Sequence, residues 1–348
     1  MSEEQLLVRV LKGELTERVP FWFMRQAGRY LPEYREVRAS TKGFLDLCFT
    51  PEKAAEVTLQ PIRRFGMDGA ILFSDILVIP YALGADVAFA EGEGPIVEQT
   101  ITEHRIRDLR VEDTLKKLGP VMETVKRVRK DLPKEKTLIG FCGSPWTVAC
   151  YMLQGKRPDK KFANAVAFAS EQPELMQRLV DTLVESSILY LKAQVEAGAN
   201  ALQLFDSWAE LLDGDEFDRW VIAPTKKIRA ALRAAYPDIP VIGFAKGAGK
   251  NLGRYAAGTG VNCIGIDQHA DMGSAMMERA AGQSVQGNLD PMLVATDGPA
   301  ALAQLERLLV TIAATPCVAN LGHGFIPQTP IENVAALCDR LKNFRRKL

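Results

Sequence analysis

The 348-residue sequence predicts a (β/α)8 barrel of the α/β class, folded as a single domain over residues 1–348, and three observations carry that expectation. Eight short runs rich in apolar, β-branched or aromatic residues recur at 19–24, 70–74, 137–142, 201–205, 241–244, 262–266, 284–287 and 317–320. Hydrophobicity so nearly continuous suits parallel strands covered on both faces. Amphipathic stretches at 51–65, 111–132, 172–197, 217–236, 274–281, 299–311 and 331–344 lie between them, so strand and helix alternate. Roughly eight such units imply a closed barrel more than an open sheet, and no dinucleotide-binding fingerprint supports the open alternative. No linker, low-complexity tract or change of composition marks a second domain.

Taken in order, the runs deliver polar groups where each strand ends. The first leads through Phe21-Trp22-Phe23-Met24 into Arg25-Gln26-Ala27-Gly28-Arg29, with no acidic residue between the arginines and Glu33 as the first carboxylate downstream. Guanidinium groups stay charged and bind carboxylates in two-pronged fashion, so this reads as an anion grip for a ligand with several carboxylates. A pair of surface arginines on a loop is the plain alternative. After the second run, Asp75 sits between Ile71-Leu72-Phe73-Ser74 and Ile76-Leu77-Val78-Ile79. A carboxylate in apolar surroundings costs several kcal/mol unless compensated, so it serves as a fixed negative charge in a site, as a helix cap, or as a partner for a buried arginine. Period-two patterning over 86–102, around Glu91-Gly92-Glu93-Gly94-Pro95, predicts a β-hairpin inserted after the second strand.

The third run ends at Gly143-Ser144, with Tyr151 beyond it as a half-buried residue near a loop; the fourth ends at Asp206-Ser207, without the glycine elbow of a serine nucleophile. Lys246-Gly247-Ala248-Gly249-Lys250 follows the fifth but lacks the phosphate-loop spacing. Asp267 and His269 follow the sixth, Asn288 and Asp290 the seventh, and His323 the eighth, between Gly322 and Gly324. Flanking glycines permit close backbone approach and expose the ring, although a histidine hydrogen-bonded in a turn fits the same pattern. Barrels of this kind place chemistry at the C-terminal ends of their strands, so these groups converge on one mouth.

Composition narrows the function classes. A formal net charge of zero argues against broad attraction to nucleic acid or membrane, so an anionic ligand must be recognised by local cations. The acidic N-terminus has no signal-peptide core, and the apolar runs are broken well before membrane-spanning length. Six cysteines without CxxC pairing read as small core residues, and three histidines leave few candidates for a metal site. Together these features point to a cytoplasmic enzyme with reduced thiols.

Four stretches together resemble the uroporphyrinogen decarboxylase family over nearly the whole length: Pro20 to Arg35, Phe73-Ser74-Asp75-Ile76-Leu77, Gly143-Ser144-Pro145-Trp146-Thr147, and Asn320-Leu321-Gly322-His323-Gly324. The resemblance implies a homodimeric (β/α)8 barrel that converts uroporphyrinogen III to coproporphyrinogen III and carbon dioxide without cofactor or metal. It places substrate binding on Arg25, Arg29, Asp75, Tyr151, Ser207 and His323, with backbone contacts at Gln26 and Ala27, and catalysis on Asp75, Arg25 and Arg29. Phe73 and Phe205 would form apolar walls. Two rivals are weighed against it: a cobalamin-linked methyltransferase on a similar barrel, which would need a zinc site, and a porphyrinogen carrier that binds without chemistry.

Overall fold

Seven parallel strands form one continuous sheet in the computed structural model, which describes residues 4–90, 94–155 and 162–347. They are β1 (Gly69–Ile71), β4 (Thr137–Gly143), β5 (Ala201–Asp206), β6 (Val241–Ala245), β7 (Cys263–Gly265), β8 (Ser284–Leu289) and β9 (Cys317–Leu321), hydrogen-bonded in that order. The expected hairpin is present: β2 (Val87–Ala90) pairs antiparallel with β3 (Gly94–Val97), and its turn at 91–93 lies outside the described residues.

The first expected strand, 19–24, shrinks to a single bridge between Phe21 and Ala319. It still joins the two edges of the sheet. Ala319 N–H donates to Pro20 O at 2.9 Å on the β9 side, and Asp68 N–H donates to Phe21 O at 2.9 Å on the β1 side. The ladder cannot run further because Pro20 lacks a donor and the chain turns at Met24 and Arg25.

Asp68 fastens this closure. Its carboxylate, 5% exposed, takes a two-pronged contact from Arg18 at 2.6 and 2.8 Å and the Phe21 N–H at 3.0 Å. Removing one partner of such a buried pair leaves the other charge uncompensated. Asp68→Ala is therefore expected to lower unfolding stability by about 3 kcal/mol, measured as a shift in the urea midpoint. An unchanged midpoint would show that the closure does not depend on this ion pair.

The helix Leu6–Leu11 plugs the N-terminal end of the barrel. Leu7, Val10 and Leu11 pack with Trp22, Ile139, Ile242, Cys263 and Val318 in one buried cluster. Within the barrel, Trp22 Nε1 donates to Gln286 Oε1 at 2.9 Å, and Gln286 Nε2 to Gln203 Oε1 at 3.2 Å. The opposite end, where the strands finish, stays open to polar side chains.

Most expected helices appear with small changes of boundary, such as Pro51–Phe65, Pro173–Ala197, Gly298–Thr311 and Ile331–Asn343. The 111–132 stretch divides into a short turn, Val111–Asp113, and the helix Gly119–Asp131. Tyr151 is on a helix, Pro145–Gln154, and not merely near a loop. Ser144 in extended conformation and Pro145 at the first helical position start that helix, and its Trp146-to-Leu153 face is almost wholly buried. All six cysteines are free and buried.

Candidate active site

The arginine grip is built on an unusual backbone. Arg25 has φ +59°, in the left-handed region that β-carbon-bearing residues rarely adopt. Two contacts hold it there: Met24 N–H donates to Asn320 Oδ1 at 2.9 Å, and Phe325 N–H donates to Met24 O at 3.1 Å. Gly324 leaves the room, since a Cβ added there would come within 2.8 Å of Arg25 Cβ. The His323 segment thus braces Arg25 directly.

Arg29 is solvent-exposed, and Arg35 Nη1 donates to its carbonyl at 2.8 Å, supporting the turn from behind. Glu33 is tied to Arg64 at 2.7 Å and so does not neutralise the grip. Arg38 donates to Thr41 Oγ1 at 3.0 Å. Gln26 is buried, with Oε1 accepting the Phe23 N–H and Nε2 donating to Gly69 O at 3.0 Å. Its own N–H is spent on Phe23 O, whereas the Ala27 N–H has no acceptor among the described residues. The turn therefore offers a ligand Ala27's donor, while Gln26 holds the turn to the barrel.

Asp75 fills neither of the structural roles open to it from sequence, helix cap or arginine partner, although it closes a turn. Oδ1 accepts the Leu77 N–H at 2.8 Å, an Asx-type turn leading into the helix Val78–Ala82. No arginine or lysine among the described residues forms an ion pair with it, and its second oxygen has no protein partner there. Burial pushes its pKa up to about 6, opposed by the Leu77 hydrogen bond and the charge of Arg25. Conversely, the surrounding protein lowers the pKa of Arg25, with Asp75 raising it and Arg29 lowering it. Arg25 thus senses both Asp75 and Arg29 without being locked to either.

Tyr151 closes another side. Its phenol is raised to about 12 by burial and feels both Asp75 and Arg25, while its ring packs edge-on to Trp208 at 6.3 Å between centroids. Ser207 is half-buried at the corner after β5, beside Trp208. His323 is half-buried, and its pKa falls to about 4 through burial and the nearby charges of Arg25 and Lys246. The imidazole is neutral at pH 7. Phe73 and Phe205 supply apolar surface: Phe73 packs at a tilt against Tyr34 and Phe44, and Phe205 packs edge-to-face with Phe141 and Phe244.

Other polar groups at the strand ends turn out to be structural. Asp267 accepts the N–H groups of Gly247 at 2.6 Å and His269 at 2.8 Å, Asn288 donates to Ala270 O, and Asp290 caps the helix Pro291–Thr296. Lys246 pairs with Glu210 at 3.0 Å and lies over the Trp208 ring. Among the described residues, no cluster of three or more His, Cys, Asp or Glu could hold a metal ion. No helix among them is long and apolar enough to cross a membrane.

A family model described as "Uroporphyrinogen decarboxylase (URO-D)" matches residues 2–344. The chain belongs to the uroporphyrinogen decarboxylase family. It is 49% identical over 340 residues to the uroporphyrinogen decarboxylase of Novosphingobium aromaticivorans, covering 98% of this chain and 99% of that one. It is 50% identical over 339 residues to that of Granulibacter bethesdensis, covering 97% and 98%. Among solved structures, a methyltransferase from Methanosarcina mazei superposes with a TM-score of 0.83 at 20% identity, covering 98% of this chain and 99% of that one. That likeness shows the shared barrel fold.

Within this decarboxylase family member, the residue that sequence reading most undervalued is Asp206. It is 1% exposed and raised to about 7 by burial. Its place at the end of β5, just before Ser207, was the available signal. Both aspartates carry folded-state pKa values above their unfolded ones, so their stabilising contribution is complete below about pH 4 and fades as pH rises through 6 and 7. For Asp75, two pH units correspond to at most about 3 kcal/mol, less where its open oxygen stays hydrated. Asp75→Asn is therefore expected to stabilise the protein above neutral pH and to make no difference in strong acid. Urea midpoints at acidic and alkaline pH test this, and a variant less stable in alkali than the parent would contradict it.

Proposed function

We propose that this protein removes the four acetate carboxylates of uroporphyrinogen III as carbon dioxide, giving coproporphyrinogen III for tetrapyrrole synthesis, with Asp75 and the Arg25–Arg29 grip as its working parts. The observation that carries the assignment of roles is a half-buried carboxylate within electrostatic reach of Arg25, neither of them in an ion pair among the described residues.

The chemistry follows from the substrate. Losing carbon dioxide from an acetate leaves an electron pair on the adjacent carbon, which needs a sink. A pyrrole protonated on a ring carbon is one: the C–CO2 bond breaks, its electrons neutralise the ring, and an exocyclic methylene forms. A proton added to that methylene gives the methyl group, and loss of the proton first placed on the ring carbon restores the aromatic pyrrole, so one proton is taken up for each carbon dioxide released. The ring itself plays the part that an organic cofactor or metal plays elsewhere, so this reading calls for neither, and activity should survive a chelator.

Asp75 accepts hydrogen bonds from pyrrole N–H groups and steadies the cationic ring. Its open oxygen suits that task, and charge stabilisation of this kind is worth about 3–4 kcal/mol per well-placed group. Arg25 and Arg29 hold acetates and propionates, since a guanidinium is a poor proton donor but a strong two-pronged partner for carboxylates. Tyr151 and Ser207 donate hydrogen bonds to the carboxylate being lost, the Ala27 N–H meets a peripheral carboxylate, and a neutral His323 donates to a propionate. The chain acts as one domain and, by family resemblance, as a cytoplasmic homodimer, which light scattering can check.

The direct test is anaerobic incubation with uroporphyrinogen III, followed by separation of the products by carboxylate number. Stepwise appearance of the hepta-, hexa-, penta- and tetracarboxylates is expected. Tight binding with no loss of carbon dioxide would leave a carrier and remove the enzyme.

A further inference from the structure

We propose that Asp206 is a positioning residue for the decarboxylation, acting through Thr147 to fix the wall that carries Tyr151, Ser207 and Trp208. The inference rests on the reading that this wall faces the carboxylate being lost. Asp206 Oδ1 receives the Thr147 hydroxyl at 2.6 Å, and the same hydroxyl oxygen accepts the Trp208 N–H at 3.1 Å. A hydroxyl has one proton. Committing it to a carboxylate aims a lone pair at the Trp208 N–H and makes that oxygen a better acceptor.

The carbonyl of Trp208 is held as well, by Trp146 Nε1 at 2.9 Å. Consecutive residues of the helix Pro145–Gln154 thus grip both polar backbone groups of Trp208, and Tyr151 lies one turn further along that helix. Loss of the Asp206–Thr147 contact leaves the Thr147 hydroxyl unaimed and the 206–208 corner tied to the helix that carries Tyr151 chiefly through Trp146. The two hydrogen-bonding residues proposed to meet the departing carboxylate would then be held in register less firmly.

The burial of Asp206 favours this role over an electrostatic one. It is 1% exposed, the groups that favour its charged form are the Thr147 hydroxyl and the Thr147 backbone N–H, and no cation among the described residues pairs with it. The titratable groups that face it are the Cys150 thiol and the Tyr255 phenol, both pushed up by burial and uncharged at pH 7. Nothing here reaches a ligand directly.

The test compares Thr147→Val, Thr147→Ser and Asp206→Asn with Tyr151→Phe and Ser207→Ala, in steady-state assays on uroporphyrinogen III with thermal melts alongside. Thr147→Val is expected to lower kcat roughly ten- to a hundredfold with KM little changed and to accumulate partly decarboxylated intermediates, as misplacement of positioned groups does. Thr147→Ser should restore turnover, and Asp206→Asn should fall between. Wild-type kcat in Thr147→Val, or kcat and KM changing together with a collapsed melting temperature, would overturn the proposal. If Thr147→Val does not fold, wild-type kcat in Asp206→Asn overturns it alone. Normal turnover in both Tyr151→Phe and Ser207→Ala would instead remove the reading beneath it, that this wall faces substrate.

Discussion

Asp75→Ala is expected to lower turnover of uroporphyrinogen roughly a hundred- to a thousandfold, the loss that follows when a preorganised charge is taken from a developing opposite charge. The carboxylate already bears the cost of its place. Burial holds its pKa near 6, only one oxygen is used by the Leu77 turn, and Arg25 is close enough to stabilise it without capturing it. A group held in that state has gained little from folding and is free to gain from a cationic pyrrole. Asp75→Asn keeps the shape and the turn acceptor but not the charge, so it should lose nearly as much activity as alanine. Asp75→Glu retains the charge on a longer arm and should keep part of the activity. The readout is single-turnover formation of the heptacarboxylate under anaerobic conditions. Alanine and asparagine variants that turn over like the parent would show that the ring cation is stabilised elsewhere.

What could be read from the sequence, and what could not, divides by the range of the forces involved. Eight runs predicted a barrel, and seven became strands because each is buried on both faces and meets a hydrogen-bonding neighbour in register. The run at 19–24 became one bridge at Phe21, because Pro20 and the strained Arg25 turn stop the ladder after a single exchange. Those features are local, yet their consequence appears only when β9 arrives from 300 residues away. Arg25, Asp75 and His323 stood out through unusual residue types in apolar or glycine-rich settings, and the structure places Asp75 and His323 within electrostatic reach of Arg25. Asp267, Asn288 and Asp290 looked equivalent at the ends of later strands, yet their partners are nearby backbone groups. Strand ends collect polar residues for both purposes, and only the pairing separates them. Asp206 was passed over for a related reason: its partner, Thr147, lies 59 residues away on a helix that hydrophobic content alone did not reveal.

Arg25→Ala and Arg29→Ala should both weaken the octacarboxylate more than the tetracarboxylate product, but they should differ in their pH behaviour. A charge-assisted hydrogen bond to a ligand is worth about 1.5–3 kcal/mol, so each variant should raise KM for uroporphyrinogen roughly ten- to a hundredfold. Lysine at either position should recover only part of this, because it lacks the planar fork. The difference lies with Asp75. Arg25 lowers the Asp75 pKa and braces against Gly324, whereas Arg29 is not among the groups that shift Asp75. Removing a nearby positive charge makes a carboxylate harder to ionise. In Arg25→Ala the acidic limb of the kcat profile should therefore move to higher pH, while in Arg29→Ala it should stay where it is in the parent. Kinetics across the acid range with the octacarboxylate and the heptacarboxylate provide both comparisons. Identical displacement of the two acidic limbs would mean that Asp75 does not set the limb, and equal loss of affinity along the carboxylate series would mean that the arginines do not count carboxylates.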